Sequence, residues 1–158
     1  MAGVGAGYDY SATTYSPDGK IFQIDYAQKA TSNSGTVVAL CCKDGVVMGG
    51  ERLLLSRLLV RGEHKRIFTI DLHLGLSVAG YSTDGRYVLR VARNISKGYW
   101  TNYNRRIPPS QLAKQLAAQV HLFTLYGGAR PLGVGLIVTG YDEVEKTYEC
   151  YGIESSGS

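Results

Sequence analysis

Chemistry at neutral pH needs an activated nucleophile, a metal cluster or an anion cradle, and few residues of this sequence suggest one. His64, His73 and His121 are scattered, with no metal-ligand spacing and no paired cysteine or carboxylate motif beside them. They read as surface or satisfied core histidines. Cys41 and Cys42 are adjacent and Cys150 stands alone, so the spacing suggests neither a disulfide framework nor a zinc site, and a reducing setting fits. The run Gly3-Val4-Gly5-Ala6-Gly7 has the glycine content of a phosphate loop. No strand precedes it, and its spacing is not that of a dinucleotide fingerprint, so that reading is rejected. There is no GxSxG elbow and no P-loop. No cofactor and no metal are expected. Arg86, Arg90, Arg93 and Lys97 are spaced as one stripe of a helix. A stripe like this reads as a solvated face, and a functional contact would need an acidic partner on another chain. Its use for nucleic-acid binding is a rival hypothesis, and a salt-dependent shift with generic RNA would reveal it.

The elements that could position such residues follow from pattern. The 158 residues suit one domain with a real core, and 44% are apolar. No apolar run approaches the ~20 residues that span a bilayer. Met1 to Gly7 has neither a basic nor a strongly apolar segment and is not read as a signal peptide. The formal charge of +4 is mild and scattered, so neither a nucleic-acid nor a membrane partner is inferred from it. Residues 1–14 are small and aperiodic and read as a flexible tail. Ser16-Pro17-Asp18-Gly19 is a tight turn by composition. Ile21 and Ile24, with Phe22, Tyr26 and Ala30, form two apolar rows of a short helix, which must dock on something because it is too short to stand alone.

Thr36 to Cys42 reads as a buried strand, Lys43-Asp44-Gly45 as its turn and Val46 to Gly50 as its partner. A leucine-bearing connection, with Leu53, Leu54, Leu55, Leu58 and Leu59, leads to a second strand pair, Arg66 to Asp71 and Leu74 to Gly80. A helix starts near Thr83 as N-cap, with Val88, Val91, Ile95 and Tyr99 on one face. A second helix, capped by Ser110, buries Leu112, Leu116 and Val120 and ends near Tyr126. Val134 to Thr139 and Thr147 to Ile153 close the order as a third hairpin. Strands, then helices, then strands give an α+β, layered domain.

The stretch from Ser16-Pro17-Asp18-Gly19 through Phe22-Gln23-Ile24-Asp25-Tyr26-Ala27 closely resembles the signature of α-type subunits of the 20S proteasome. Tyr8-Asp9 resembles the start of a further family element, but Tyr10 stands where an arginine is usual. The GYD, SPDG, KRIF and TLY..ARP blocks are most similar to the α-type-3 branch, which takes the seventh ring position. The resemblance implies the four-layer αββα sandwich of the Ntn-hydrolase superfamily, decorated by an extra N-terminal helix, over residues 36–158, after a gate tail at 1–14 and the turn and helix at 15–31. It implies a ring of neighbouring α-type subunits stacked on β-type subunits, with activators or a regulatory particle docking outside, in cytoplasm and nucleus.

Catalytic β-type members attack with an N-terminal threonine whose own α-amine is the base. Aligned on the Lys-Asp-Gly turn, Gly35 stands where that threonine would be, and Thr36 carries a peptide bond on its nitrogen. Glu51 replaces the aspartate of the β-type pocket and Arg66 its lysine, and arginine cannot give up its proton. No catalytic residue is therefore expected, and a β-type threonine hydrolase is the weaker alternative. The resemblance assigns Tyr8, Asp9, Pro17 and Tyr26 to the cluster that holds the gate open. It assigns Arg66, with Lys65 and Gly80, to the pocket that receives an activator's C-terminal carboxylate. Family members continue past a turn like Ser155-Ser156-Gly157, so the sequence reads as a piece of a longer chain, with a bare sheet face and an unpaired edge on the last strand, which lacks its next hairpin partner. At this length alone it is expected to be insoluble or to melt without cooperativity.

Overall fold

A helix layer, a four-stranded sheet and a two-stranded hairpin are stacked in that order in the computed structural model, which describes residues 7–52, 56, 58, 60, 62 and 65–158. The expected disorder of the first few residues, the leucines 53–55 and 59, and His64 lie outside the described residues. The first helix, α1, is Phe22–Ser32. The hairpin is β1 (Val37–Cys42) with β2 (Gly45–Gly50). The larger sheet is built from β3 (Ile67–Asp71), β4 (Leu74–Gly80), β5 (Val134–Asp142) and β6 (Thr147–Ile153), antiparallel in sequence order. Between β4 and β5 run α2 (Ser82–Tyr103) and α3 (Pro109–Leu125).

Alternation along the strands decides the layers. Leu74, Leu76 and Val78 of β4 are partnered by Gly140, Val138 and Leu136 of β5, so they share one face. That face packs under Val88, Leu89 and Ala92 of α2 and Leu112, Leu116 and Val120 of α3 as one core cluster. The opposite face carries Gly75, Ser77, Ala79, Gly135 and Thr139, and it is shared by the hairpin and α1. Met48 of β2 lies over Gly75, where a Cβ would come within 2.4 Å of its methyl group, and it accepts hydrogen bonds from Ser77 and Thr139. Thr31 of α1 lies over Gly135, 3.0 Å from where a Cβ would be. Small residues on this face let the helix and the hairpin approach.

Among the described residues these are three of the four layers of the implied sandwich. Three local readings need correction. β1 is not a buried strand: Val38 and Leu40 are 59% and 65% exposed, because nothing in the described residues covers the hairpin's outer face. In α1 only Ala27, outside both expected rows, is fully buried; Ile21, Phe22, Ile24 and Ala30 are half-buried and Tyr26 lies outward. Neither helix cap was the residue expected. Tyr81 caps α2, so Thr83 lies inside it, and Pro108 caps α3 with Pro109 at the first turn, where proline's missing N–H costs no hydrogen bond. α2 also runs on through Trp100 to Tyr103 and stops at Asn104, a left-handed residue with φ 50°.

Candidate functional site

The turn ahead of α1 is tied by its own residues. Ser16 N–H donates to the Lys20 carbonyl at 2.8 Å, Lys20 N–H donates to Ser16 Oγ at 3.0 Å, and Gly19 N–H donates to the Ser16 carbonyl at 2.9 Å. Gly19 sits at φ +75°, which glycine adopts without Cβ strain. Upstream, Ala12 is buried and Thr14 N–H donates to the Ser11 carbonyl, so the chain is anchored just before the turn.

Two of the four residues assigned to the gate are brought together. The Tyr26 phenol donates to Asp9 Oδ2 at 3.3 Å, and the Gln23 side-chain amide donates to the Asp9 carbonyl. Desolvation and then the Asp9 carboxylate push the Tyr26 phenol up, which keeps it a neutral donor. Tyr8 is 42% exposed and Pro17 lies at the surface, with no side-chain hydrogen bond from either among the described residues. Tyr10, in the usual arginine position, is 87% exposed.

Lys65, Arg66 and Gly80 line one cavity of about 60 Å³, floored by Phe68 and Val78. Arg86, from the first turns of α2, lines it too, so among the described residues three cations and no carboxylate line it. Part of the basic stripe thus faces a cavity. Of the rest, Arg93 donates through Nε and Nη2 to the Thr69 carbonyl, at 3.2 and 2.7 Å, where the β3–β4 register shifts. Arg90 lies 5.6 Å over the Tyr87 ring. Arg66 is half-buried; its Nη1 donates only a long 3.5 Å bond to the Val78 carbonyl, and it has no ion-pair partner among the described residues. The Gly80 N–H already donates to Ser34 Oγ at 2.7 Å, and Ser34 Oγ donates to the Thr31 carbonyl of α1 at 2.7 Å.

Gly35, Thr36, Glu51 and Arg66 also converge. A Cβ on Gly35 would lie 3.2 Å from Arg66 Nη2 and 3.1 Å from the Glu51 carbonyl. The Thr36 amide N–H donates to Glu51 Oε2 at 3.0 Å, and Glu51 N–H donates back to the Thr36 carbonyl at 2.7 Å. An amide nitrogen has no basic lone pair, so Thr36 has no base of its own.

The strongest ion pair was not anticipated from sequence. Arg130 holds Asp84 by two bonds, Nη1 to Oδ2 at 2.7 Å and Nη2 to Oδ1 at 2.8 Å, and Gly133 N–H adds a third at 3.1 Å. The Arg130 guanidinium, outweighing partial desolvation, holds the Asp84 carboxyl below its ordinary range. The pair fastens the start of α2 to the entry of β5. An acidic residue in the first turn of a long helix was the available signal, but its partner lies far along the chain. His73 Nε2 meets the Ile107 carbonyl at 2.8 Å while its Nδ1 is buried without a partner, and His121 Nδ1 meets the Ser156 carbonyl at 2.9 Å. Among the described residues no cluster of His, Cys, Asp and Glu could hold a metal, and no helix is long and apolar enough to cross a membrane.

Comparison with known proteins gives two family matches. Residues 31–158 match the model described as proteasome subunit, and residues 8–30 match the N-terminal signature of the A-type proteasome subunits. The chain is 45% identical over 157 residues to the alpha type-3 proteasome subunit of Arabidopsis thaliana, covering 99% of this chain and 62% of that protein. It is 44% identical over 158 residues to the alpha type-3 subunit of Dictyostelium discoideum, covering 100% of this chain and 63% of that protein. The alpha type-3 subunit of Drosophila melanogaster is 43% identical over 158 residues, again 100% of this chain and 62% of that protein. The chain therefore spans somewhat under two thirds of the length of these relatives.

Proposed function

The chain belongs to the proteasome subunit family, in its α-type branch, and from that premise we propose that it is a non-catalytic subunit of the outer ring of the 20S core particle. It sits among neighbouring α-type subunits, rests on the β-type ring, and helps to control substrate entry for ubiquitin-dependent degradation in cytoplasm and nucleus. The observation that carries this reading is the arrangement around Gly35. The position of the nucleophile has no side chain, the next nitrogen is an amide hydrogen-bonded to Glu51, and a guanidinium crowds the place a Cβ would take. A guanidinium cannot serve as a proton acceptor, which argues against the β-type alternative.

Gate residues Tyr8, Asp9, Pro17 and Tyr26 act in this reading as the hinge of the tail, in which the Tyr26–Asp9 bond supports an ordered state that a partner can stabilise or release. The cavity lined by Lys65, Arg66 and Gly80 receives the terminal carboxylate of an activator. Its three cations and apolar floor suit an anion carried on an apolar tail. Because Gly80 N–H is occupied by Ser34, side chains rather than that amide would hold the anion, the three cations with the Ser82 hydroxyl beside them.

The test is isolation of the tagged native protein, followed by native mass measurement and peptidase assay. A cylinder of several hundred kilodaltons, with peptidase activity unchanged by Thr36→Ala and activator binding weakened by Arg66→Ala, is expected. A monomer whose own peptidase activity disappears in Thr36→Ala would overturn the reading.

A further inference from the structure

The two sheets meet with a thiol on each side. Thr139, whose hydroxyl donates to Met48 Sδ at 3.3 Å, is the cross-strand partner of Cys150. Cross-strand partners share a face, so Cys150 lies on the face of the larger sheet that looks toward the hairpin. Met48 is partnered by Ala39, and Cys41 stands two residues further along β1, on the same inward face. The Cys41 thiol donates to the Tyr148 carbonyl at 3.1 Å, and Tyr148 precedes Cys150 by two residues on β6. Stacked sheets usually lie ~10 Å apart. A side chain as short as cysteine touches the other sheet's backbone here, which brings the Cys41 sulfur to the strand that carries Cys150, two residues from it. Both thiols are exposed to small solutes, and Cys42 points to the opposite face of the hairpin.

We propose that Cys41 and Cys150 form a redox-active dithiol that a peroxide oxidises to a disulfide across the seam between the hairpin and the four-stranded sheet. The sequence offers no such pair by spacing, because sheet packing makes it. In the first step the Cys41 sulfur attacks one oxygen of hydrogen peroxide, the O–O bond breaks, and sulfenic acid and one water form. In the second the Cys150 thiol attacks that sulfur, the S–S bond forms, the S–O bond breaks, and a second water leaves. The balance is two thiols and one hydrogen peroxide to one disulfide and two waters. Desolvation and the neighbouring Cys41 sulfur push the Cys150 thiol up, so it enters the second step as the thiol and gives up its proton as it attacks, the proton leaving in the second water. Reduction by a dithiol restores the pair.

The experiment treats the native full-length protein with hydrogen peroxide, blocks the remaining thiols with iodoacetamide, and digests with trypsin without reductant. The expected product joins the peptide Ala30 to Lys43 to the peptide beginning at Thr147, two hydrogens lighter than their sum. It should vanish with dithiothreitol, be lost in Cys41→Ser, Cys41→Ala and Cys150→Ser, and persist in Cys42→Ser. The melting temperature of each reduced variant is measured alongside, and the alanine variant keeps the test open should the serine variant misfold. Linkage through Cys42, a Cys41–Cys42 ring, bridges only between copies, or three separately blocked cysteines would each overturn the proposal.

Discussion

The helix-covered face of the four-stranded sheet and the outer face of the β1–β2 hairpin are built from the same residue types and end in opposite environments. Leu76, Val134 and Val138 are 0% exposed, whereas Val38, Leu40 and Val47 are 59%, 65% and 66% exposed. Both sets are β-branched or leucine side chains on antiparallel strands, so strand formation does not distinguish them. What differs is the neighbour. α2 and α3 return over one face, and nothing among the described residues covers the other. Burial is thus a property of the stack, and an apolar run announces a strand without saying which face will be dry.

Leu116→Ala gives the largest expected effect. Leu116 is 0% exposed at the centre of the covered face, so its loss should cost about 3 kcal/mol, a transfer term plus an unrelaxed cavity. Urea unfolding of the native protein, followed by tryptophan fluorescence, reads this directly. A cost below about 1 kcal/mol would mean that the covered face can collapse around the gap and is not close-packed.

Asp84→Asn comes next, because it releases the clasp that keeps the helices on that face. The carboxylate is 8% exposed on its side chain and its guanidinium partner 62%, so the pair is half-screened and its loss should cost about 2 kcal/mol. Its pH dependence has a definite sign. The folded carboxyl titrates below its ordinary value, so its contribution is complete above the unfolded pKa of about 3.9 and is lost as pH falls through the folded one. The gap in unfolding midpoint between wild type and Asp84→Asn should therefore be constant near neutrality and close below about pH 4. A gap that stays open in acid would assign the effect to helix capping or packing instead of charge.

Reading the sequence delivered the elements but not their closure. The core stripe of α3 was legible because Leu112, Leu116 and Val120 repeat every four residues, and all three are buried. The covered face of α2 was half legible. Val91, Ile95 and Tyr99 only flank the core, and the centre is Val88, Leu89, Ala92 and Ser96, of which Ala92 is small and Ser96 polar, types that hydrophobicity passes over. Ser96 belongs there because it donates to Asp71 Oδ2 at 2.9 Å on the β3–β4 hairpin. The Asp84–Arg130 clasp and the facing thiols of Cys41 and Cys150 were not legible, since each joins elements brought together only by the fold. The gate and cavity residues were named by resemblance. The fold puts Tyr26 beside Asp9 and puts Lys65, Arg66 and Gly80 around one cavity, while Arg86 joins them from a helix face that the sequence presented as solvated.

Met48→Ala probes the seam between the two regions. Met48 is half-buried, lies over Gly75, and accepts hydrogen bonds from Ser77 and Thr139 at 3.3 Å each. Its truncation should cost about 1 kcal/mol, less than the range for a fully buried methionine, because one side of the seam is partly wet. Hydrogen exchange should rise in β1 and β2 and stay unchanged in β4 and β5. Equal loosening of both sheets would mean that they form a single cooperative unit and that the contrast between them is only one of exposure.

Val47→Thr is the smallest expected effect and the most direct test of whether the outer face is open in solution. Val47 is 66% exposed and pairs with Leu40 across the hairpin. Threonine keeps the β-branch and hence the strand preference while replacing a methyl group by a hydroxyl. At a wet surface the change should stay within about 0.5 kcal/mol, as surface substitutions do. Under a cover, the hydroxyl would lose its water without gaining a partner, at a cost of about 1 to 3 kcal/mol. Unfolding midpoints of wild type and Val47→Thr, measured over a range of protein concentrations, separate the cases. Near-identical midpoints at every concentration keep the two faces as different as they stand. A loss that grows with concentration would show that the outer face is buried against another chain, and that the two faces of this domain differ in what covers them rather than in whether they are covered.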